Sequence, residues 1–242
     1  MKSIKVQLIV ILSIIILLAS CANVSSPEDY DIVRRSIVLV KSSNAFIANV
    51  GTGWITEIEG QRVIITAKHI IEDDINYQPP EDTVVALLLE RTLTVTAYDG
   101  QEEEVDILSY IEGDCSIDMS IDWCILSCPQ ALRELPFLEI SKERALIGEE
   151  ACWAGFPDIC ESAVVGSVIL GDPYNVNLRR LDLNTFAGMS GSPLYVPDKG
   201  VVGMILYSFS GSHFGAALDM PLLLDTITEE YTKDMSIREV RL

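Results

Sequence analysis

The sequence predicts an all-β protein made of two halves, followed by one short C-terminal helix. Short apolar runs bounded by turn residues recur along the 242 residues, a pattern typical of barrels or sandwiches. Residues 129–144 lack this pattern, which indicates a connector between two series of strands. Only residues 221–233 place apolar side chains at helical spacing, after a proline that favours a helix start.

The strand candidates follow one another at short intervals in both halves. In the first half, Asp99 and Gly100 separate two strand-like runs, which is a strong signal for a hairpin. Residues 72–82 contain two consecutive prolines and are expected to form an exposed loop. Strands are predicted at residues 36–41, 45–50, 53–58, 62–67, 83–90, 92–98 and 104–110, and then at 146–156, 161–170, 178–186, 193–196, 201–207 and 214–218.

Composition and charge narrow the classes of function. Hydrophobic residues make up 49% of the chain and charged residues 22%, which indicates a folded globular protein. The formal net charge of −19 gives a surface that repels nucleic acid, so we expect no nucleic-acid partner. Neutral or basic partners are favoured, although the same charge also serves solubility.

The first 21 residues, MKSIKVQLIVILSIIILLASC, have the charge and length of a secretory signal. Their ending, Leu18-Ala19-Ser20-Cys21, resembles the lipobox of bacterial lipoproteins. That resemblance implies cleavage after residue 20 and acyl chains on Cys21, with residues 21–31 as a polar tether. The protein would then lie outside the cytoplasm, anchored to the outer membrane or to the outer face of the inner membrane. The alternative is an uncleaved anchor, although the apolar run is short for a span of about 20 residues.

Five cysteines lie beyond the signal region, and an exported protein permits disulfides. Because five is an odd number, at least one thiol stays outside any intramolecular pair. Disulfides between Cys152 and Cys160, and between Cys115 and either Cys124 or Cys128, are compatible with the sequence. Buried cysteines that form no disulfide are an equally good alternative. We expect no metal site, because the chain has only two histidines, and no cofactor.

Two stretches supply a candidate base and a candidate acid. His69 lies just past the run at residues 62–67, which is expected to be buried, so it is held rigidly but can face a cleft. This suits a general base, because imidazole titrates near neutral pH. Asp122 lies in an apolar stretch, where a carboxylate needs a partner such as a histidine N–H. Asp118 is the rival acid, but burying it would place Asp122 where the strand should be apolar. Taken singly, each residue is equally compatible with a structural role.

The stretch NTFAGMSGSPLYV, residues 184–196, supplies a candidate nucleophile. Gly188 and Gly191 let the backbone turn sharply and approach a ligand. Such a turn can direct two N–H groups at a developing oxyanion. By itself the stretch is also compatible with a plain turn before a strand, and it holds two candidate serines, Ser190 and Ser192.

In combination, the three stretches resemble the motifs of the trypsin-like (chymotrypsin-fold) serine peptidases, in that family's order. TAKH at residues 66–69 is similar to its histidine motif, and GMSGSP at residues 188–193 to its Gly-x-Ser-Gly-x-Pro turn. Within that family, the motifs are most similar to those of the bacterial glutamyl-endopeptidase-like and HtrA-like branches, and no PDZ domain is expected. The resemblance implies two six-stranded antiparallel β-barrels, at residues 32–128 and 145–242, the second followed by the helix.

The same resemblance implies a serine endopeptidase that acts on proteins or peptides. Ser190 is implied as the nucleophile, His69 as the general base and acid, and Asp122 as the residue that orients His69. The N–H groups of Gly188 and Ser190 are implied to hold the oxyanion. The alternative is a catalytically silent relative that acts as a protein-binding module.

The sequence departs from trypsin at two places. Met189 stands where trypsin has an aspartate that binds a freed N-terminus, so that mode of activation is not available. The implied specificity pocket has no charged group. In the relatives that select glutamate, a histidine lies on a strand that forms the pocket wall, whereas His213 lies in the loop that follows this strand. A small or apolar residue is therefore expected before the scissile bond. The pocket is implied at Asn184, Thr185, Tyr207 and Gly215.

Overall fold

The first half of the chain forms one antiparallel sheet. The computed structural model describes residues 26–44, 48–72, 91–157, 162–208 and 214–241. Within them, the sheet contains β1 (Ile37–Ser43), β2 (Ala48–Ile58), β3 (Gln61–Thr66), β4 (Thr92–Ala97), β5 (Glu102–Glu104), β6 (Ile107–Tyr110) and β7 (Cys124–Ser127). Their order is β5-β4-β1-β2-β3-β7-β6, so β3 and β7 pair although a long segment separates them in sequence.

The second half forms a closed antiparallel barrel of six strands, in the order β10-β13-β12-β11-β8-β9. These strands are β8 (Glu150–Gly155), β9 (Val164–Pro173), β10 (Leu178–Leu181), β11 (Pro193–Val196), β12 (Gly200–Ser208) and β13 (Gly215–Asp219). The segment between β10 and β11, which contains most of the glycine-rich stretch, therefore lies at one end of the barrel.

The predicted double-barrel class is confirmed, with differences in the first half. The described residues of that half form seven strands, where the resemblance implied a barrel of six, and their sheet stays open between β5 and β6. Residues 48–50, the described part of the run predicted at residues 45–50, merge with the run predicted at residues 53–58 into β2. Gly51 and Thr52, which lie between the two runs, pair with Val40 and Leu39 of β1, so the strand continues through them. The candidate strand at residues 83–90 lies outside the described residues.

A helix that the sequence analysis did not predict precedes β1. This helix, α1 (Pro27–Arg35), begins with a capping box in which Ser26 Oγ accepts from Asp29 N and the Asp29 carboxylate accepts from Ser26 N. It packs against β8 and β9 of the other half. The range predicted as a polar tether, residues 21–31, therefore overlaps a helix that starts at Pro27.

The C-terminal helix α2 (Met220–Arg241) is longer than the predicted one at residues 221–233. Leu223, Ile227 and Tyr231, four residues apart, are buried along one face. That helix packs against β6 of the first half and β12 of the second. In the described part of the chain, neither helix has the length and apolar character needed to cross a membrane.

Two apolar cores stabilise the molecule. The smaller one fills the closed barrel and includes Trp153, Leu194 and Met189. The larger one lies between the sheet of the first half and the outside of the barrel, and it continues through Leu206 and Leu218 to Ile227 of α2. Because the larger core uses side chains of both halves, it fixes the cleft between them.

Candidate active site

His69 lies where β3 ends and one turn of 3₁₀ helix, Lys68–Ile70, begins. The strand before it is buried from Val63 to Thr66, which holds the backbone of the turn in place. The imidazole itself is 36% exposed and reaches the cleft. This agrees with the predicted placement of a rigidly held histidine that solvent and a substrate can approach.

Asp122 faces His69 with both carboxylate oxygens. One oxygen, Oδ2, lies 2.8 Å from His69 Nδ1, and the other, Oδ1, accepts from the backbone N–H of His69 at 2.9 Å. The carboxylate is 6% exposed, so these bonds replace most of its contact with water. A proton on Nδ1 that is donated to Asp122 leaves Nε2 as the hydrogen-bond acceptor that faces the cleft.

The position of Asp122 differs from the predicted one in a local detail. The sequence analysis placed it inside a strand, whereas it follows the 3₁₀ turn Met119–Ile121 and precedes β7 by one residue. The rival Asp118 caps that same turn by accepting from Ser120 N at 3.0 Å. The geometry therefore brings Asp122, and not Asp118, to the histidine.

Lys68 is a residue of this region that the sequence analysis missed. Its side chain is buried, and its ammonium donates to the carbonyl oxygens of Ile111 at 2.8 Å and Gly113 at 2.6 Å. These carbonyls belong to the segment that leads from β6 to Asp122. The only signal in the sequence was a charged residue inside an otherwise apolar run, which does not identify a partner more than 40 residues away.

Ser190 lies on the turn between Gly188 and Gly191, which have φ angles of +89° and +86°. These values fall in the left-handed region that glycine adopts without strain. The hydroxyl of Ser190 donates to the carbonyl oxygen of Leu206 at 2.6 Å. Within the described residues it makes no hydrogen bond with His69, so the serine is in the cleft with its proton directed at β12.

Two backbone donors of the same turn have no partner inside the described chain. None of the hydrogen bonds among the described residues uses the N–H of Gly188 or of Ser190. By contrast, the N–H of Gly191 donates to Ile205 at 2.7 Å, and that of Ser192 donates to Met189 at 3.0 Å. Within the described residues, the two N–H groups predicted to hold an oxyanion therefore have no competing acceptor.

Thr52 is a second residue of this region that the sequence analysis missed. The side chain of Thr52 is buried in β2, and its Oγ1 donates to the carbonyl of Gly188 at 2.8 Å. Its N–H donates to the carbonyl of Ser190, also at 2.8 Å. Since 136 residues separate Thr52 from Gly188, sequence spacing gave no indication of this contact.

The residues predicted for a specificity pocket are placed around the same turn. Thr185 and Gly215 face one another, since a Cβ on Gly215 would lie 2.8 Å from Thr185 Cγ2. Tyr207, on β12, contacts Met119 through its hydroxyl. Burial raises the pKa of Tyr207, and the nearby Tyr174 and Asp122 raise it further. Asn184 is exposed, and His213 lies outside the described residues.

The cysteines that the structure describes are buried thiols, at Cys115, Cys124, Cys128 and Cys152. The proposed pairs of Cys115 with Cys124 or Cys128 are therefore not formed, and Cys160 lies outside the described residues. Burial raises the pKa of Cys115 to about 11, and the negative charges of Asp122 and Glu72 add to this. That thiol is a poor nucleophile at neutral pH. The described residues also contain no cluster of potential metal ligands.

Comparisons with known proteins agree with the fold. The sequence model of the family described as "Trypsin-like peptidase domain" matches residues 51–204. Among solved structures, a serine endoprotease from Yersinia pestis superposes with a TM-score of 0.64 at 20% identity, over 87% of this chain and 69% of that one. The inactive form of the Rv3671c protease superposes with a TM-score of 0.57 at 17% identity, over 85% and 96%. A search of curated protein sequences gave no match.

Proposed function

Because the chain belongs to the trypsin-like peptidase family, we propose that it is a serine endopeptidase whose nucleophile is Ser190. The observation that carries this proposal is the pairing of His69 with Asp122 through two hydrogen bonds, at the cleft that also contains Ser190. A carboxylate bound to both the ring and the backbone of a histidine fixes the tautomer that a general base requires. A purely structural histidine does not need this arrangement.

The proposed reaction begins with a rotation of the Ser190 side chain. Its hydroxyl leaves the carbonyl of Leu206 and donates to His69 Nε2. Ser190 Oγ then attacks the carbonyl carbon of the peptide bond while His69 takes the proton, and Asp122 stabilises the resulting imidazolium. The negative charge on the substrate oxygen is held by the N–H groups of Gly188 and Ser190.

Collapse of the tetrahedral intermediate breaks the carbon–nitrogen bond, and His69 gives its proton to the leaving amine. The acyl group stays on Ser190 Oγ. Water then attacks the acyl-enzyme with His69 again acting as the base, which releases the carboxylic acid and restores the serine. Only groups of the chain itself and water take part in these steps.

The substrates we propose are proteins or peptides with a small or apolar residue before the scissile bond. The methyl group of Thr185 faces Gly215 and narrows the space that a substrate side chain would enter. None of Asn184, Thr185, Tyr207 and Gly215 supplies a charge at neutral pH to pair with an arginine, lysine or glutamate.

A fluorophosphonate probe tests the proposed function. We expect the purified protein to be labelled and its Ser190→Ala variant not to be labelled, because the probe forms a bond with an activated serine Oγ. Ser192→Ala is the matched control: this neighbouring serine is buried, and its hydroxyl has no hydrogen-bond partner within the described residues. Its substitution should leave labelling intact.

The other outcomes of the same experiment are equally informative. Equal labelling of the wild type and Ser190→Ala would contradict the assignment of the nucleophile. Absence of labelling in all three proteins would favour a catalytically silent relative that binds partner proteins. The bond from Ser190 Oγ to Leu206 is the observation on which that second candidate depends.

We also propose that the protein is a lipoprotein of the bacterial cell envelope, acylated on Cys21. The support is the sequence of residues 1–21, which lie outside the described residues. Bacteria that express the chain in the presence of a palmitate analogue should incorporate the label into the wild type but not into Cys21→Ala. Cys115→Ala, which removes a buried thiol instead, should keep the label. Incorporation into Cys21→Ala would contradict the proposal.

A further inference from the structure

Thr52 joins the two halves of the molecule at the turn that carries Ser190. Its N–H donates to Ser190 O and its Oγ1 donates to Gly188 O, both at 2.8 Å. The same Oγ1 accepts from Phe156 N at 3.2 Å, while the carbonyl of Thr52 accepts from Thr66 Oγ1 at 2.8 Å. Every polar group of this buried residue therefore has a defined partner, and the partners belong to both halves.

The two bonds from Thr52 to the turn fix specific peptide planes. The carbonyl of Gly188 belongs to the peptide between residues 188 and 189, and that of Ser190 to the peptide between 190 and 191. The N–H of Ser190 belongs to the peptide between these two. Because peptide groups are planar, holding the flanking carbonyls against β2 restricts the direction in which the N–H of Ser190 points. The constraint also reaches the adjoining N–H of Gly188.

The turn has little room to adopt another arrangement against β2. A Cβ on Gly191 would lie 1.9 Å from the carbonyl oxygen of Thr52, and one on Gly155 would lie 3.1 Å from Thr52 Oγ1. The turn thus packs directly on the backbone of β2, and β8 packs on the side chain of Thr52. Because the turn and β2 lie this close together, they are joined by short direct hydrogen bonds and not by contacts between long side chains.

From the side of the barrel, the turn is held by an apolar contact and by the N–H of Gly191, which donates to the carbonyl of Ile205 at 2.7 Å. The side chain of Met189 is buried in the smaller core, and its sulfur accepts from Phe186 N at 3.4 Å. Apolar packing has no directional preference, so Met189 anchors the turn without orienting its peptide groups. The bond of Gly191 orients the peptide between residues 190 and 191, whose carbonyl Thr52 holds from the other half. Met189 also carries no charge that could pair with another group. The directional contacts from across the cleft are those of Thr52.

We propose that Thr52 is a positioning residue, whose hydroxyl holds the Gly188–Ser190 turn in the conformation that directs both oxyanion donors into the cleft. This inference depends on the proposed peptidase function. It adds to that function a residue of the opposite half that acts through the turn and does not touch the substrate. Assembly of the oxyanion site would then require the two halves to be correctly docked.

The test compares Thr52→Ala with Thr52→Ser and with Thr56→Ala. Thr52→Ala removes the hydroxyl and adds no volume, whereas Thr52→Ser keeps the hydroxyl. Thr56 is the matched control, because it is also buried in β2 but its hydroxyl has no hydrogen-bond partner within the described residues. The readouts are the maximal rate of reaction with a fluorophosphonate, the probe concentration that gives half of that rate, and the melting temperature.

We expect Thr52→Ala to lower the maximal rate about 10- to 100-fold, which is somewhat less than the effect of losing one oxyanion donor. The probe concentration that gives half of the maximal rate should stay within about threefold of the wild-type value. Thr52→Ser should restore the rate to within about threefold, and Thr56→Ala should leave it unchanged. If Thr52→Ala does not fold, Thr52→Val provides a second variant without the hydroxyl. A merely structural residue is not expected to lower the maximal rate while leaving the half-maximal probe concentration unchanged. It is also not expected to be rescued by serine.

Failure of this inference can be told apart from failure of the proposed function. A wild type that reacts, with Thr52→Ala reacting at the same rate, would overturn the positioning role and leave the peptidase assignment intact. The positioning role is also overturned if Thr52→Ala and Thr56→Ala lose rate and melting temperature to the same extent, or if Thr52→Ser is as slow as Thr52→Ala. A wild type that does not react overturns both proposals.

Discussion

Asp122 determines which nitrogen of His69 is available to the cleft. Its Oδ2 receives the Nδ1 proton, and its Oδ1 accepts from the backbone N–H of the same residue. The second bond fixes the rotation of the carboxyl group, so the oxygen that faces the ring is always the same one. A substitution at this position can therefore alter the proton on the ring without moving the ring.

We predict that Asp122→Asn lowers the maximal rate of peptide or ester hydrolysis about 10⁴-fold with little change in melting temperature. The amide oxygen of the asparagine can still accept from His69 N, which places its NH₂ group against Nδ1. His69 Nδ1 must then accept a hydrogen bond from this NH₂ group, so the ring proton moves to Nε2. With a proton on Nε2, His69 can no longer act as the base for Ser190. Steady-state kinetics and thermal unfolding measure the two effects.

Asp118→Asn serves as the control for that prediction, because Asp118 only caps the neighbouring 3₁₀ turn. It should retain most of the activity. A loss of activity in Asp118→Asn as large as that in Asp122→Asn would contradict the role assigned to Asp122, since the two substitutions change charge equally within the same segment.

At the scale of elements, the sequence predicted most strands of the double barrel because each is a local apolar run with turn residues at its ends. The prediction for residues 193–196 coincides with β11, and the hairpin at Asp99-Gly100 is present between β4 and β5. The same kind of local reading placed His69 just past a buried run and predicted a sharp backbone turn at Gly188 and Gly191. Strand ends are where a fold can expose a functional side chain and still hold its backbone.

The differences arise where an element depends on residues far away in the sequence. Two predicted strands merge into β2 because Gly51 and Thr52, between them, pair with Val40 and Leu39 of β1, which are contacts that a local pattern does not contain. The same reason applies to Thr52 and to Lys68, whose partners lie 136 and more than 40 residues away. The direction of the Ser190 hydroxyl depends on Leu206 and was likewise not predictable.

At the scale of the whole molecule, the two terminal helices cross between the halves. Helix α1, at the start of the described chain, packs against β8 and β9 of the barrel, and α2, at its end, packs against β6 of the first sheet as well as β12. The helix that precedes the first half thus packs on the second half, and the helix that follows the second half packs partly on the first. Since His69 and Asp122 lie in one half and Ser190 in the other, this docking also determines the geometry of the cleft.

We predict that Ile227→Ala destabilises the molecule by about 2–5 kcal/mol, because Ile227 is fully buried in the core that both halves share and its truncation leaves a cavity. Leu222→Ala, on the exposed face of α2, should change the free energy of unfolding by no more than about 0.5 kcal/mol. Urea unfolding followed by tryptophan fluorescence and by far-ultraviolet circular dichroism measures both. If the helix couples the halves, the two signals of the wild type change in a single transition. Equal stabilities of the two variants would show that α2 does not hold the halves together.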